Sequence, residues 1–133
     1  SEQFRQKLTT EVETAEANME RRDAGGIGIA VLDADAYAHR FDFPPTPLLV
    51  DELHRRNRGE NGVFVTVGLG TDELYVRSTA DVDVRVAAER AAERAPDAGI
   101  AAAGVREGRI EFLSGEREAV VESVIRAVVE QLA

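Results

Sequence analysis

Two apolar runs joined by a short polar turn constrain this chain more than any other feature. Val63-Phe-Val-Thr-Val-Gly-Leu69 is followed by Gly70-Thr-Asp-Glu73 and then by Leu74-Tyr-Val76, which ends in Arg77-Ser78. That pattern predicts a hairpin of two strands. After an acidic lead-in at Asp81 and Asp83, a helix is predicted from about Asp83, with Val84, Ala87, Ala88, Ala91 and Ala95 on one face, stopping at Pro96. The segment closes on Gly99-Ile-Ala-Ala-Ala-Gly104. A hairpin that delivers Arg-Ser to the mouth of a helix, opposite a loop of small residues, has the parts of an anion-binding corner.

The rest of the chain supplies layers around that hairpin. Ile27-Gly-Ile-Ala-Val-Leu32 is apolar on both faces and predicts a central strand covered on each side. Residues 4–22 read as a helix with a narrow stripe of Phe4, Leu8, Val12, Ala15 and Met19, closed by Arg21, Arg22 and Gly25-Gly26. Tyr37 to Phe43 reads as a short edge strand or extended loop. A second helix follows Pro44-Pro45, with Thr46 as N-cap, Pro47 at the first helical position, and Leu48, Leu49 and Leu53 inward. Ala101–Val105 and Arg109–Leu113 read as a further hairpin across Arg106-Glu-Gly108, and Ser114 as the cap of a final helix. The expected order is α-β-(β)-α-β-β-α-β-β-α: an α/β (α+β) fold with a mixed sheet of about five strands and helices packed on it.

Composition narrows the function classes. The 133 residues make one domain, with residues 1–24 as a linker helix and 25–133 as the folded unit. A hydrophobic fraction of 44% with only 5% aromatics requires a core of Val, Ala, Leu and Ile. The absence of cysteine excludes disulfides and thiolate metal sites. No run is long enough to span a membrane, so the expectation is a soluble, cytoplasmic chain with no membrane partner. Net charge is −9, with fifteen arginines against the single lysine Lys7. Such a surface fits adaptation to high salt, and it means that any phosphate site must be local.

Four groups can carry chemistry, each beside a plainer account. Arg77 and Ser78 can fork onto phosphate oxygens with hydroxyl help; alternatively Arg77 pairs with Asp81 or Asp83 on a solvated rim. Gly99 and Gly104 can bring backbone N–H groups to a ligand, or can simply make a tight connection. Asp33, Asp35, His39 and Asp42 have ligand types suited to Mn²⁺ or Mg²⁺, against the favoured account of a solvated acidic loop. His54-Arg-Arg-Asn-Arg58 can touch a nucleic-acid backbone, but cations at a helix C-terminus are also good helix chemistry.

A strand ending in Arg77-Ser78, an Asp83-Val84 step into a helix, and a small-residue loop before a hairpin and last helix together resemble the DHHA1-type C-terminal domain of DHH phosphoesterases. The likeness runs from about Ile27 to the end, and Tyr37-Ala-His-Arg-Phe-Asp-Phe-Pro-Pro-Thr46 is similar to archaeal RecJ-like single-strand exonucleases. The resemblance implies that Arg77 and Ser78 hold substrate phosphate. The family loop reads Gly-Gly-Gly-His-x-x-Ala-Ala-Gly; Ala102-Ala103-Gly104 matches its end, whereas Gly99 stands at the His and Pro96-Asp97-Ala98 at the three glycines. It also implies a separate catalytic domain in cis carrying Mn or Mg, so that this chain alone holds no cofactor and hydrolyses nothing.

Three functions follow as expectations. The first is a substrate-binding domain for single-stranded DNA or a short oligonucleotide, with Arg77, Ser78, Gly99 and Gly104 at the site. The second is a non-catalytic scaffold for replication or repair proteins such as GINS-like complexes. The third is a metal-dependent phosphoesterase using Asp33, Asp35 and His39.

Overall fold

The protein is described by a computed structural model covering residues 1–37 and 44–133. Helix α1 (Glu2–Ala17) starts under the Ser1 hydroxyl, which accepts from the Phe4 N–H at 3.2 Å. Strand β1 (Glu20–Ala24) turns into β2 (Ile27–Asp33), and a short 3₁₀ turn (Ala34–Tyr37) follows. Helix α2 (Thr46–Asn57) crosses to β3 (Phe64–Leu69), which pairs with β4 (Glu73–Ser78). Helix α3 (Val84–Arg94), β5 (Arg109–Glu111) and α4 (Arg117–Leu132) complete the chain.

The sheet is mixed and five-stranded, as expected, in the order β1-β2-β3-β4-β5. Every neighbouring pair is antiparallel except β2 and β3, which run parallel because α2 crosses between them. Side-chain alternation sends Ile27, Ile29, Val65, Val67, Leu74 and Val76 into a core with α3 and α4. Ala30 and Leu32 point the other way, into a second core with Val12, Ala15, Leu49 and Leu53 of α1 and α2. Ala87, Ala88 and Ala91 of α3 are fully buried, and their small side chains let α3 lie close against α4.

Several sequence expectations need correction. The first helix ends at Ala17, where the Asn18 N–H caps Ala15 and Glu16, so Arg21 and Arg22 lie in β1 and not at a helix terminus. Gly25 and Gly26, with φ of 59° and 90°, form a hairpin turn instead of a helix stop. Because β1 gains stability from pairing with β2 and presents mostly charged side chains, no apolar alternation announces it. Ala101–Val105 is not a strand: Ala102–Gly104 is a 3₁₀ turn, and β5 pairs with β4. Pro45, not Thr46, occupies the N-cap of α2, and Glu116 instead of Ser114 precedes α4, neither making a side-chain cap bond. Tyr37 ends the 3₁₀ turn instead of opening a strand; residues 38–43 lie outside the described part.

Candidate phosphate-binding site

Arg77 sits at the end of β4, on the face toward α2, opposite Thr66 of β3. Its Nε donates to Asp51 Oδ1 of α2 at 2.5 Å, and its Nη1 donates to the backbone carbonyls of Val76 and Glu107, each at 3.0 Å. The guanidinium carbon also lies 6.0 Å from the centre of the Tyr75 ring. The partner is therefore Asp51, twenty-six positions upstream, and neither Asp81 nor Asp83. Asp83 instead caps α3 by accepting from the Val86 N–H at 3.0 Å.

Beside this arginine is an open hollow of about 450 Å³, lined by Arg77, Ser78, Asp81, Val82, Glu107 and Gly108 among others. A second hollow of about 630 Å³ shares Asp81, Val82, Val84 and Gly108 and extends to Arg85 and Val105. Ser78 accepts from the Ala80 N–H at 3.2 Å, which leaves its own O–H free to turn. Gly108 is required here: at φ +74°, a Cβ would stand 2.6 Å from the Val76 carbonyl oxygen and 2.8 Å from Arg77 Nη1. Its neighbour Glu107 also has a left-handed φ, 52°, unusual for a residue with a side chain. The lining mixes one strong donor fork with the carboxylates of Asp81 and Glu107, so the corner favours an anion only immediately around Arg77.

The remaining candidates fall elsewhere. Neither Gly99 nor Gly104 lines these hollows. Gly99, at φ +66°, lies under Leu113, whose Cγ would be 2.4 Å from a Cβ there, which gives this glycine a packing role. Gly104 closes its 3₁₀ turn, its N–H donating to Ala101 O at 3.1 Å. Asp33 pairs with Arg117 of α4 and accepts from the Asp35 N–H, while Asp35 accepts from the Thr71 hydroxyl at 2.6 Å. His39 and Asp42 lie outside the described residues. Among the described residues no three His, Asp or Glu side chains gather as a metal ion would require.

Most of the basic run at the end of α2 is engaged within the fold. Arg56 and Asn57 both donate to Glu16 of α1 at 2.9 Å, Arg55 pairs with Glu52, and Asn57 accepts from Arg21 of β1. Glu16 is held below the usual carboxylate range chiefly by Arg56. His54 turns inward: its Nδ1 lies 2.8 Å from the hydroxyl of Thr66, and its ring stacks with Phe64. Burial pushes the His54 imidazole down, helped by the positive charges of Arg58 and Arg77. Sequence reading missed Asp51, Glu107 and Gly108 as site residues. The Glu-Gly turn was visible, but nothing local ties it or Asp51 to Arg77.

No protein-family model and no curated protein matches this sequence. A solved structure described as the DHH domain of a member of the S1p family of ribosomal proteins superposes with a TM-score of 0.74 at 22% identity, over 93% of this chain. The chain spans about 30% of the length of that protein. At this identity the likeness is one of fold: among the described residues this chain forms a mixed five-stranded sheet with four α-helices, and that arrangement superposes on part of a DHH-domain protein. Among the described residues no helix is long and apolar enough to cross a membrane.

Proposed function

We propose that this chain is the DHHA1-type substrate-contact domain of a RecJ-like DHH phosphoesterase. It takes a backbone phosphate of single-stranded DNA or a short oligonucleotide at Arg77, with the Ser78 hydroxyl as a second donor. The observation that carries this reading is the position of Arg77 on the wall of an open hollow beside Ser78, at the end of a strand whose turn neighbour is a glycine. The shared fold with a DHH-domain protein supports it. Hydrolysis, and the Mn²⁺ or Mg²⁺ it uses, belongs to a catalytic domain in cis, and the present chain contributes binding and orientation. The test is fluorescence anisotropy of a labelled single-stranded oligonucleotide across a salt series. Arg77→Ala should weaken binding and lower the slope of log K against log salt by about 0.7, the value for one phosphate contact to a single strand. Equal affinity and equal slope for both proteins overturns the assignment.

A scaffold for replication or repair proteins, GINS-like complexes among them, is the second reading. It is favoured by the loop at 96–104, where proline, aspartate and alanine replace the family glycines, and by the exposed Leu113 beside it. Capture of such a partner by a chain that binds no oligonucleotide would select it.

A further inference from the structure

The guanidinium of Arg77 offers two edges for a bidentate anion, Nε with Nη2 and Nη1 with Nη2. Asp51 Oδ1 occupies Nε at 2.5 Å, and two backbone carbonyls occupy Nη1 at 3.0 Å. Each edge is thus half engaged, and among the described residues only Nη2 makes no hydrogen bond. A phosphate that uses the full fork must therefore displace one of these partners. The carbonyls cannot leave, because Val76 belongs to β4 and Glu107 to a turn tied down by the Val76 N–H donating to Gly108 O at 2.9 Å. Asp51 can leave. Its side chain is 53% exposed against 22% for Arg77, so solvent can take the place of the guanidinium.

We propose that Asp51 is an internal competitor for the Arg77 fork: it holds the guanidinium in place in the free protein and is displaced by a phosphodiester on binding. The inference rests on the phosphate reading of Arg77 and adds to it the residue that sets the affinity. Nη1 stays on its carbonyls throughout, so the fork keeps its position after Asp51 moves away. The exchange is carboxylate for phosphate at one nitrogen. The site therefore discriminates by the number of donors an anion reaches: a phosphodiester that contacts both Nε and Nη2 gains one more bond than Asp51 alone provides.

The test compares wild type, Asp51→Asn and Arg77→Ala by titration with a short single-stranded oligonucleotide and, separately, with inorganic phosphate. Asp51→Asn should bind the oligonucleotide about two- to fivefold more tightly, the range expected when an exposed ion pair no longer has to be broken. Tighter binding is a result that mere damage to the fold would not give. In wild type the Arg77 Nε–H resonance should shift on titration, while in Asp51→Asn it should start displaced. Binding that depends on Arg77 but is equal or weaker in Asp51→Asn overturns the competitor role and leaves the phosphate site standing. No oligonucleotide binding by any of the three proteins overturns both. Equal tightening for inorganic phosphate and oligonucleotide identifies a phosphate site as such; tightening for the oligonucleotide alone assigns the exchange to the phosphodiester chain.

Discussion

Substituting Gly68 by alanine tests how closely α2 is set on the sheet. Gly68 lies in β3 beneath α2, and a Cβ built there would stand 2.2 Å from Val50 Cγ2 and 3.5 Å from Val50 Cβ. Carbon atoms in contact prefer about 3.5–4.0 Å, so roughly 1.5 Å of movement is needed. Val50 is fully buried and, as a β-branched residue in a helix, is held to one preferred χ1, so the contact is relieved mainly by lifting the helix. Overpacking of this kind costs about 1–3 kcal/mol, offset by up to about 1 kcal/mol from the reduced freedom of the unfolded chain. Val50→Ala alone should cost about 2 kcal/mol for the buried methyls and the cavity they leave. In the double variant the methyl introduced at position 68 enters the space vacated by valine, and the total should fall below the sum of the two by at least about 1 kcal/mol. Urea and thermal unfolding of the four proteins measure this, each kcal/mol moving Tm by about 3–5 °C at this size. Wild-type stability in Gly68→Ala, or strictly additive costs, would refute the argument. Asp51 follows Val50 directly, so the same lift loosens its pair with Arg77.

Two further predictions concern the turn and the buried imidazole. Gly108→Ala meets both a left-handed φ of +74° and the Val76 carbonyl, so it should cost more than about 2 kcal/mol in urea unfolding and move Arg77. Glu107→Gly, which relieves a φ of 52°, should instead stabilise by up to about 1 kcal/mol; the opposite order of the two variants would sink this account of the turn. His54 is held below its ordinary pKa of about 6.5 by burial first, so the unfolded chain binds the proton more readily. Its stabilisation is complete above that value and is lost as pH falls through it toward the lower folded value. Unfolding free energy should therefore decline as pH falls below about 7 in wild type and much less in His54→Gln, with identical slopes counting against the buried-imidazole assignment. Glu16, Glu52 and Glu122, each lowered by an arginine partner, lose their contribution only at more acidic pH.

The strands that carry apolar side chains were legible because burial writes itself into composition. Ile27 to Leu32 and Val63 to Leu69 are apolar on both faces since each lies between two helical layers. By the same reasoning β1 was hidden: an edge strand reading Glu-Arg-Arg-Asp-Ala has no buried stripe, and only the Gly25-Gly26 pair hints at the hairpin. Ala102 to Gly104 misled for a different reason, since alanines suit several backbone states and tertiary packing decides among them. Arg77 and Ser78 are adjacent in sequence, and both line the hollow. Asp51 is brought to Arg77 by the α2 crossover, and no local pattern encodes that meeting.

The hollow itself follows from the shortness of β5. Its three residues pair only with Glu73, Leu74 and Tyr75, so beyond Tyr75 the β4 edge is open except for the turn at Gly108. Arg77 lies on the α2 face there, and its Nη1 passes beside a glycine that supplies no side chain to block it. At the N-terminus of α3 the Asp83 side chain takes the Val86 N–H at 3.0 Å, and Gln131 of α4 accepts from the Asp83 N–H at 2.8 Å. In the hollow beside Ser78 the guanidinium of Arg77 stands among acidic residues, with Arg85 in the adjoining hollow, so the expected contact at Arg77 is about one phosphate. A salt slope several times larger would require arginines from another surface, and Arg77→Ala would then leave most of the slope intact.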